Sequence, residues 1–309
     1  MKTYSPFFKK LILFFIIVLA LDFMAGRLLG YFYFKQTSGL FYRTTYAMDK
    51  TTADVLIFGS SRANHHYNPS VFEDKLKMSY YNAGRDGNSI FYHYGVLKSV
   101  VKRYKPKMIV LDFNPQEFAE TQESYDRISS LSPYYRNHPE VREIVNLKSP
   151  FEKYKMASGI YPFNSSLFTI VAGCLSFNKK RANDIEGYMP LSKKFDKPIK
   201  ESHWQPSYTL DTVKVNLFKD FISVCKAQGI DLYVAASPYY INAPASEYSI
   251  EIAKGIAKEN NVPFFDFLQN ESFIKSPQLF SDPSHLNDAG AALYSTLFLD
   301  SIAATSKAN

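Results

Sequence analysis

Two short stretches hold the residue types from which acyl-transfer chemistry is built. In Asp54-Val-Leu-Ile-Phe-Gly-Ser-Ser-Arg-Ala63 an apolar run ends abruptly at Gly59, Ser60 and Ser61. Such a run delivers a small hydroxyl to the edge of a parallel sheet, where sites of open α/β folds lie, and Ser61 is the first candidate nucleophile. In Asp282-Pro-Ser-His285 a carboxylate and an imidazole stand three residues apart around one tight turn. Asp282 can accept from one ring nitrogen of His285 and leave the other outward as a base. Each fragment alone has an ordinary reading. Gly-Ser-Ser marks turns and Asp-x-x-His marks helix starts, so each needs the other to mean catalysis. Other polar groups point elsewhere. The side chains of adjacent His65 and His66 diverge and no acidic cluster accompanies them, so a helix-start or surface role is expected and no metal. Gly84-Arg-Asp-Gly87 lacks the Gly-x-Gly-x-x-Gly spacing of a nucleotide loop, and no cofactor is implied.

Alternating strands and helices must position these residues. Strands are expected at Asp54–Phe58, Ser79–Asn82, Lys107–Phe113, Asp231–Ala236 and Val262–Phe267. Helices are expected at Pro69–Leu76, Ser89–Tyr104, Asp211–Gly229 and Glu247–Asn260, with a last one opened by Asn287. Five strands separated by helices predict a parallel, doubly wound α/β sheet. The glycines of Asn82-Ala-Gly-Arg-Asp-Gly-Asn88 allow positive φ or close backbone approach. Pro115 stops the third strand after Asn114. From 116 to about 208 the alternation lapses into a segment rich in Tyr, Phe, Pro and Ser, including Ser132-Pro-Tyr-Tyr135 and His203-Trp-Gln-Pro206. So long a stretch is read as a partly helical insertion packed over the sheet, its aromatics free to pack the core or to face a sugar.

The chain has 309 residues, 46% of them hydrophobic, enough for a sizeable core. Its net charge of +7 is scattered, and runs such as Lys179-Lys180-Arg181 are short, so nucleic acid is not expected as a partner. Two cysteines, Cys174 and Cys225, make no disulfide framework. At the N-terminus Lys2, Lys9 and Lys10 precede an apolar run from Leu11 that resumes after Asp22 and Arg27 and continues to Phe34. That length suits one membrane crossing. Residues 1–35 are therefore read as an uncleaved signal-anchor, 36–50 as a linker and 51–309 as the catalytic domain. The lysines stay cytoplasmic and the domain is extracytoplasmic.

Four ordered blocks resemble those of the SGNH, or GDSL, hydrolase superfamily. Gly59-Ser60-Ser61 is similar to the first block, Asn82-Ala-Gly-Arg-Asp-Gly87 to the second, Asp112-Phe-Asn114 to the third and Asp282-Pro-Ser-His285 to the fifth. The resemblance covers about 51–114 and 211–303 and is closest to membrane-tethered bacterial cell-envelope members. It implies a flavodoxin-like three-layer sandwich with about five parallel strands. It also implies a Ser61–His285–Asp282 triad and an oxyanion site formed by the N–H groups of Ser61 and Gly87 and the amide of Asn114. Three departures stand out. Ser60 and Arg62 replace the Asp and Leu that flank the nucleophile, and the third block lacks its Gly-x-Asn-Asp form. Arg62 and Arg85 adjoin the site as possible contacts for an anionic substrate group, or as residues that hold the loops. The implied activity is a serine esterase or deacylase acting on O-acyl groups, above all O-acetyl groups, of an envelope glycan. An O-acyltransferase and a non-catalytic glycan-binding protein of the same fold are the alternatives.

Overall fold

The computed structural model describes residues 5–175, 184–201, 207–242 and 247–308. Lys179-Lys180-Arg181 and His203-Trp-Gln-Pro206 lie outside the described residues. The central sheet contains β1 (Val55–Phe58), β2 (Tyr80–Asn82), β3 (Met108–Asp112), then β5 (Asp231–Ala236) and β7 (Phe264–Asp266), with β4 (Lys200–Glu201) and β6 (Ile241–Asn242) pairing separately in parallel. The sheet order is β2-β1-β3-β5-β7 and every pairing is parallel. This is the doubly wound α/β arrangement, with its order reversing between β1 and β3.

Side chains alternate across the strands and sort the core into two layers. Leu56, Phe58, Ile109, Leu111 and Val234 face α5 (Ile90–Arg103), α10 (Thr212–Ala227) and α11 (Tyr248–Glu259). Val55, Ile57, Met108 and Val110 face α3 (Ser61–His66), α4 (Pro69–Leu76) and α13 (Asp288–Ala308), where the rings of Phe72 and Tyr294 both pack on Phe298. Strands buried on both faces explain why the sequence reads as unbroken apolar runs. Local signals fix the ends. The Oδ1 of Asn68 accepts from Ser70 N at 3.0 Å with Pro69 in the first turn of α4, and the Oδ1 of Asp211 accepts from Val213 N at 3.0 Å to start α10.

Two regions depart from expectation. Residues 36–50, read as a linker, contain α2 (Gly39–Asp49), whose Phe41, Ala47 and Met48 are buried and which packs on α5. Its apolar residues lie too sparsely to signal a helix, and the partner surface fixes it. Asp282–His285, read as a bare turn, joins β8 (Phe280–Asp282) to β9 (His285–Leu286) in an antiparallel hairpin. The insertion is helical in short pieces: α6 (Gln122–Arg127), α7 (Arg142–Asn146), α8 (Glu152–Lys155) and α9 (Leu167–Cys174), with 3-10 turns between them. The short α12 (Glu271–Ile274) precedes β8. α1 (Ser5–Lys35) is 31 residues long, and Pro6–Lys35 is apolar enough to cross a membrane.

Candidate active site

The turn out of β1 depends on Gly59. Its φ is +145°, and a Cβ there would sit 2.8 Å from both Ala63 Cβ and the Asp112 carbonyl oxygen. Only glycine lets the chain turn this closely against the end of β3. Ser61 becomes the first residue of α3, above the crevice where the strand order reverses. The hairpin brings the other two groups to it. His285 Nε2 lies 2.7 Å from Ser61 Oγ, and His285 Nδ1 lies 2.9 Å from Asp282 Oδ2 and 3.0 Å from Oδ1. A nitrogen facing a carboxylate carries the proton, so Nε2 presents its lone pair to the Ser61 hydroxyl.

Asp282 is itself held. Its Oδ1 accepts from the backbone N–H of Ser284 at 2.8 Å and of His285 at 3.1 Å. Partial burial pushes its pKa up, but the hydrogen bond and charge of His285 and these two N–H groups outweigh it and leave the carboxyl below its ordinary value.

His66 departs from the surface role expected of it. It is fully buried, and its Nε2 accepts from Leu286 N at 3.0 Å. That fixes the proton on Nδ1, which donates to Ser237 Oγ at 2.9 Å. Burial, with the Arg62 and His285 charges adding to it, holds its pKa well below the ordinary value. A neutral His66 thus pins the strand that carries His285. Its neighbour His65, four residues after Ser61 and so on the same face of α3, sets its ring edge-on to His285 at 5.2 Å. The i, i+4 spacing from Ser61 was the available signal for His65; nothing in the sequence marked His66. Among the described residues no group of His, Cys, Asp or Glu is arranged to hold a metal ion.

Arg62 and Arg85, expected beside the site as possible substrate contacts, are only 1% and 5% exposed. The Arg62 guanidinium donates to Ser237 O at 2.8 Å, to Phe113 O at 2.9 Å and twice to Asn114 Oδ1, at 3.2 and 2.9 Å. It stacks on Tyr239, with Asp112 Oδ2 3.6 Å from its Nε. Asp112 is buried too, and burial raises its pKa against the pull of Arg62 and of hydrogen bonds from Ser237 and Tyr67. Arg85 donates to Thr44 Oγ1 at 2.6 Å, while its backbone N–H bonds Gly59 O at 2.9 Å and ties the loop after β2 to the turn after β1.

That loop carries Gly87, at φ +67°, with the Arg127 guanidinium of the insertion 3.2 Å from where a Cβ would stand. Ser60, Gly87, Asn88, Pro115 and Glu117 wall one cleft of about 250 Å³. Asn114 has its Oδ1 engaged by Arg62, and among the described residues its Nδ2 makes one long contact, 3.5 Å, to Glu117 Oε2. Glu117 is buried, which raises its pKa, and its Oε1 accepts from Ile90 N at 2.7 Å to hold the start of α5. Arg127 was not singled out in the sequence, because a charge in a variable-looking insertion carries no spacing signal.

No family model matches this sequence, and no curated protein does. Among solved structures, a Bacteroides fragilis protein provisionally described as an acylhydrolase is similar at a TM-score of 0.42 and 14% identity, over 88% of this chain and 99% of that one. An acetyl xylan esterase is similar at a TM-score of 0.41 and 13% identity, over 80% of this chain and 99% of that one. At these TM-scores the likenesses carry no argument about chemistry, and the site stands on its own geometry.

Proposed function

We propose that the chain is an exported, membrane-anchored serine esterase that removes O-acyl groups, O-acetyl above all, from an envelope glycan. The observation that carries this reading is the continuous run from Ser61 Oγ through His285 to Asp282, with contacts of 2.7 and 2.9 Å. Ser61 Oγ attacks the ester carbonyl carbon as its proton passes to His285 Nε2. The imidazolium so formed is stabilised by Asp282. The carbonyl oxygen, now anionic, meets the N–H groups of Ser61 and Gly87 and the Asn114 amide. Collapse breaks the ester C–O bond, and His285 returns its proton to the departing sugar hydroxyl. Water then attacks the acyl-Ser61 carbonyl as one of its protons passes to His285; collapse breaks the acyl–Oγ bond, His285 returns that proton to Ser61 Oγ, and the released acid ionises to carboxylate and a proton in solvent. Export is supported by α1, with Lys9 and Lys10 ahead of its apolar run.

Fluorophosphonate labelling of the folded full chain tests the nucleophile. Wild type is expected to label, while Ser61→Ala and His285→Ala do not. Labelling that persists in Ser61→Ala, or its absence from folded wild type, overturns the assignment. Release of acetate from an acetylated glycan, dependent on Ser61, then tests the substrate class.

A further inference from the structure

We propose that α9 is a second membrane-contacting element, with its Phe168, Val171 and Leu175 face lying where the acyl chains of the leaflet next to the domain meet their headgroups. This rests on the reading of α1 as a membrane span. The face is built of residues at helical spacing that are 86%, 55% and 62% exposed, while Ile170 on the opposite side is buried. Leu167 belongs to the same patch, and Phe151 and Tyr154 are exposed nearby in sequence. α9 packs directly along the second half of α1, with Cys174 Sγ 4.0 Å from Phe32 O, so the two apolar surfaces are continuous.

Length decides what covers them. A bilayer core of about 30 Å takes about 20 helical residues. Counted from Leu11, just after the last of the N-terminal lysines, the core reaches to about Gly30. The segment on which the domain docks, Asp22 to Phe32, therefore begins well inside hydrocarbon. Two further observations fit that depth. Asp22, a carboxylate that could not stay unpaired there, accepts from Ser158 Oγ and Gly159 N, both at 2.6 Å, and from Ile160 N at 3.3 Å. Gly26 and Gly159 meet so closely that a Cβ on Gly159 would sit 2.6 Å from the Asp22 carbonyl oxygen, the small-residue contact by which elements pack inside membranes. Past this depth charge returns. Lys35 and Arg136 line a groove of about 460 Å³ beside α1 at the level of the lipid headgroup phosphates, and Arg27, about one turn inside the counted core, lines it too and is long enough to snorkel to them.

Tryptophan fluorescence in vesicles containing acyl-chain-brominated phosphatidylcholine tests the proposal on the full chain. The background is Trp204→Phe, since the chain has a single tryptophan. Phe168→Trp, and separately Val171→Trp, are expected to show blue-shifted emission quenched several-fold by the brominated lipid. Tyr248→Trp, on the exposed start of α11, is expected to stay unquenched. Leu19→Trp reports the span itself. If Leu19→Trp is quenched while both α9 variants emit as water-exposed residues, the docking proposal falls and the span stands. Blue-shifted but unquenched α9 variants would mean that protein covers the face, and the lipid assignment falls. If Leu19→Trp is also unquenched, both fall.

Discussion

At the residue scale, the amide proposed for the oxyanion site is oriented by a buried cation. Two donors of Arg62 fix the Asn114 carbonyl, so the amide can turn only one way, and its Nδ2 is left for a developing negative oxygen. Asn114→Ala is expected to lower kcat by roughly 10²- to 10³-fold with little change in KM, measured on a soluble aryl acetate. Arg62 has a second consequence. With it gone, Asp112 is a buried carboxylate with no cation, so Arg62→Leu is expected to destabilise the fold by about 3–5 kcal/mol in a urea titration. Arg62→Lys keeps the charge but cannot bridge Asn114, Phe113 and Ser237 together, so it should retain stability better than activity. At the other end of the site, Asp282→Asn removes the acceptor that selects the His285 tautomer. Its kcat should drop by about 10⁴-fold while fluorophosphonate labelling slows rather than vanishes.

At the element scale, two histidines give α5 and α2 opposite pH responses. His93 lies inside α5 with neither ring nitrogen hydrogen-bonded, and burial pushes its pKa down to about 3. Below the ordinary histidine value, about 6.5, the unfolded chain takes up a proton that the folded chain refuses, so stability falls as pH drops from 6.5 toward 3. His93→Leu should flatten that fall in melting curves between pH 4 and 7. His138 lies 3.0 Å from Asp49 at the end of α2 and 2.9 Å from Glu140. Burial opposes its charge, but these two carboxylates outweigh it and raise its pKa. Its contribution is therefore complete below about pH 6.5 and is lost as pH rises through the folded value, and His138→Gln should lose stability mainly on the acid side. The same elements show what could be read beforehand. β1, β3 and β5 announce themselves as apolar runs, α4 as a proline-started helix within the residues expected, Ser61 as a strand-end residue, and Asp282 and His285 as turn residues. α2 was not legible, because Arg43, Thr44 and Thr45 are polar residues buried by partners 40 or more residues away, with Arg43 donating to Gly187 O and Thr45 bonding Tyr134. Arg62 and His66 failed for the same reason. Burial of a polar side chain is decided by where its partners lie in space, and neither carries a local pattern.

At the scale of the whole molecule, α1 is long and apolar enough to cross a membrane and is at the same time part of the domain. Its exposed apolar residues run from Phe7 to Tyr31, and from Asp22 onward its other face is gripped by the insertion. Tyr33 is buried against Phe41, Tyr134 and Phe163, which joins the helix to the main core rather than leaving it on a flexible tether. With α1 spanning the bilayer as proposed, the domain should hold a fixed height and tilt over it. The contact of Gly26 with Gly159 is the place to break this, because the obstacle is backbone and cannot swing aside. Gly26→Leu should still insert, since leucine favours the bilayer, yet pry the Ser158–Ile160 loop off the helix and leave Asp22 without its three donors. The expected outcome in vesicles is unchanged membrane retention, a lower melting temperature and new protease cleavage in the 149–166 segment. Retained Ser61 labelling would mark the loss as one of docking rather than of the site. A Gly26→Leu chain that resists protease as wild type does would show that the helix and the domain are only loosely joined.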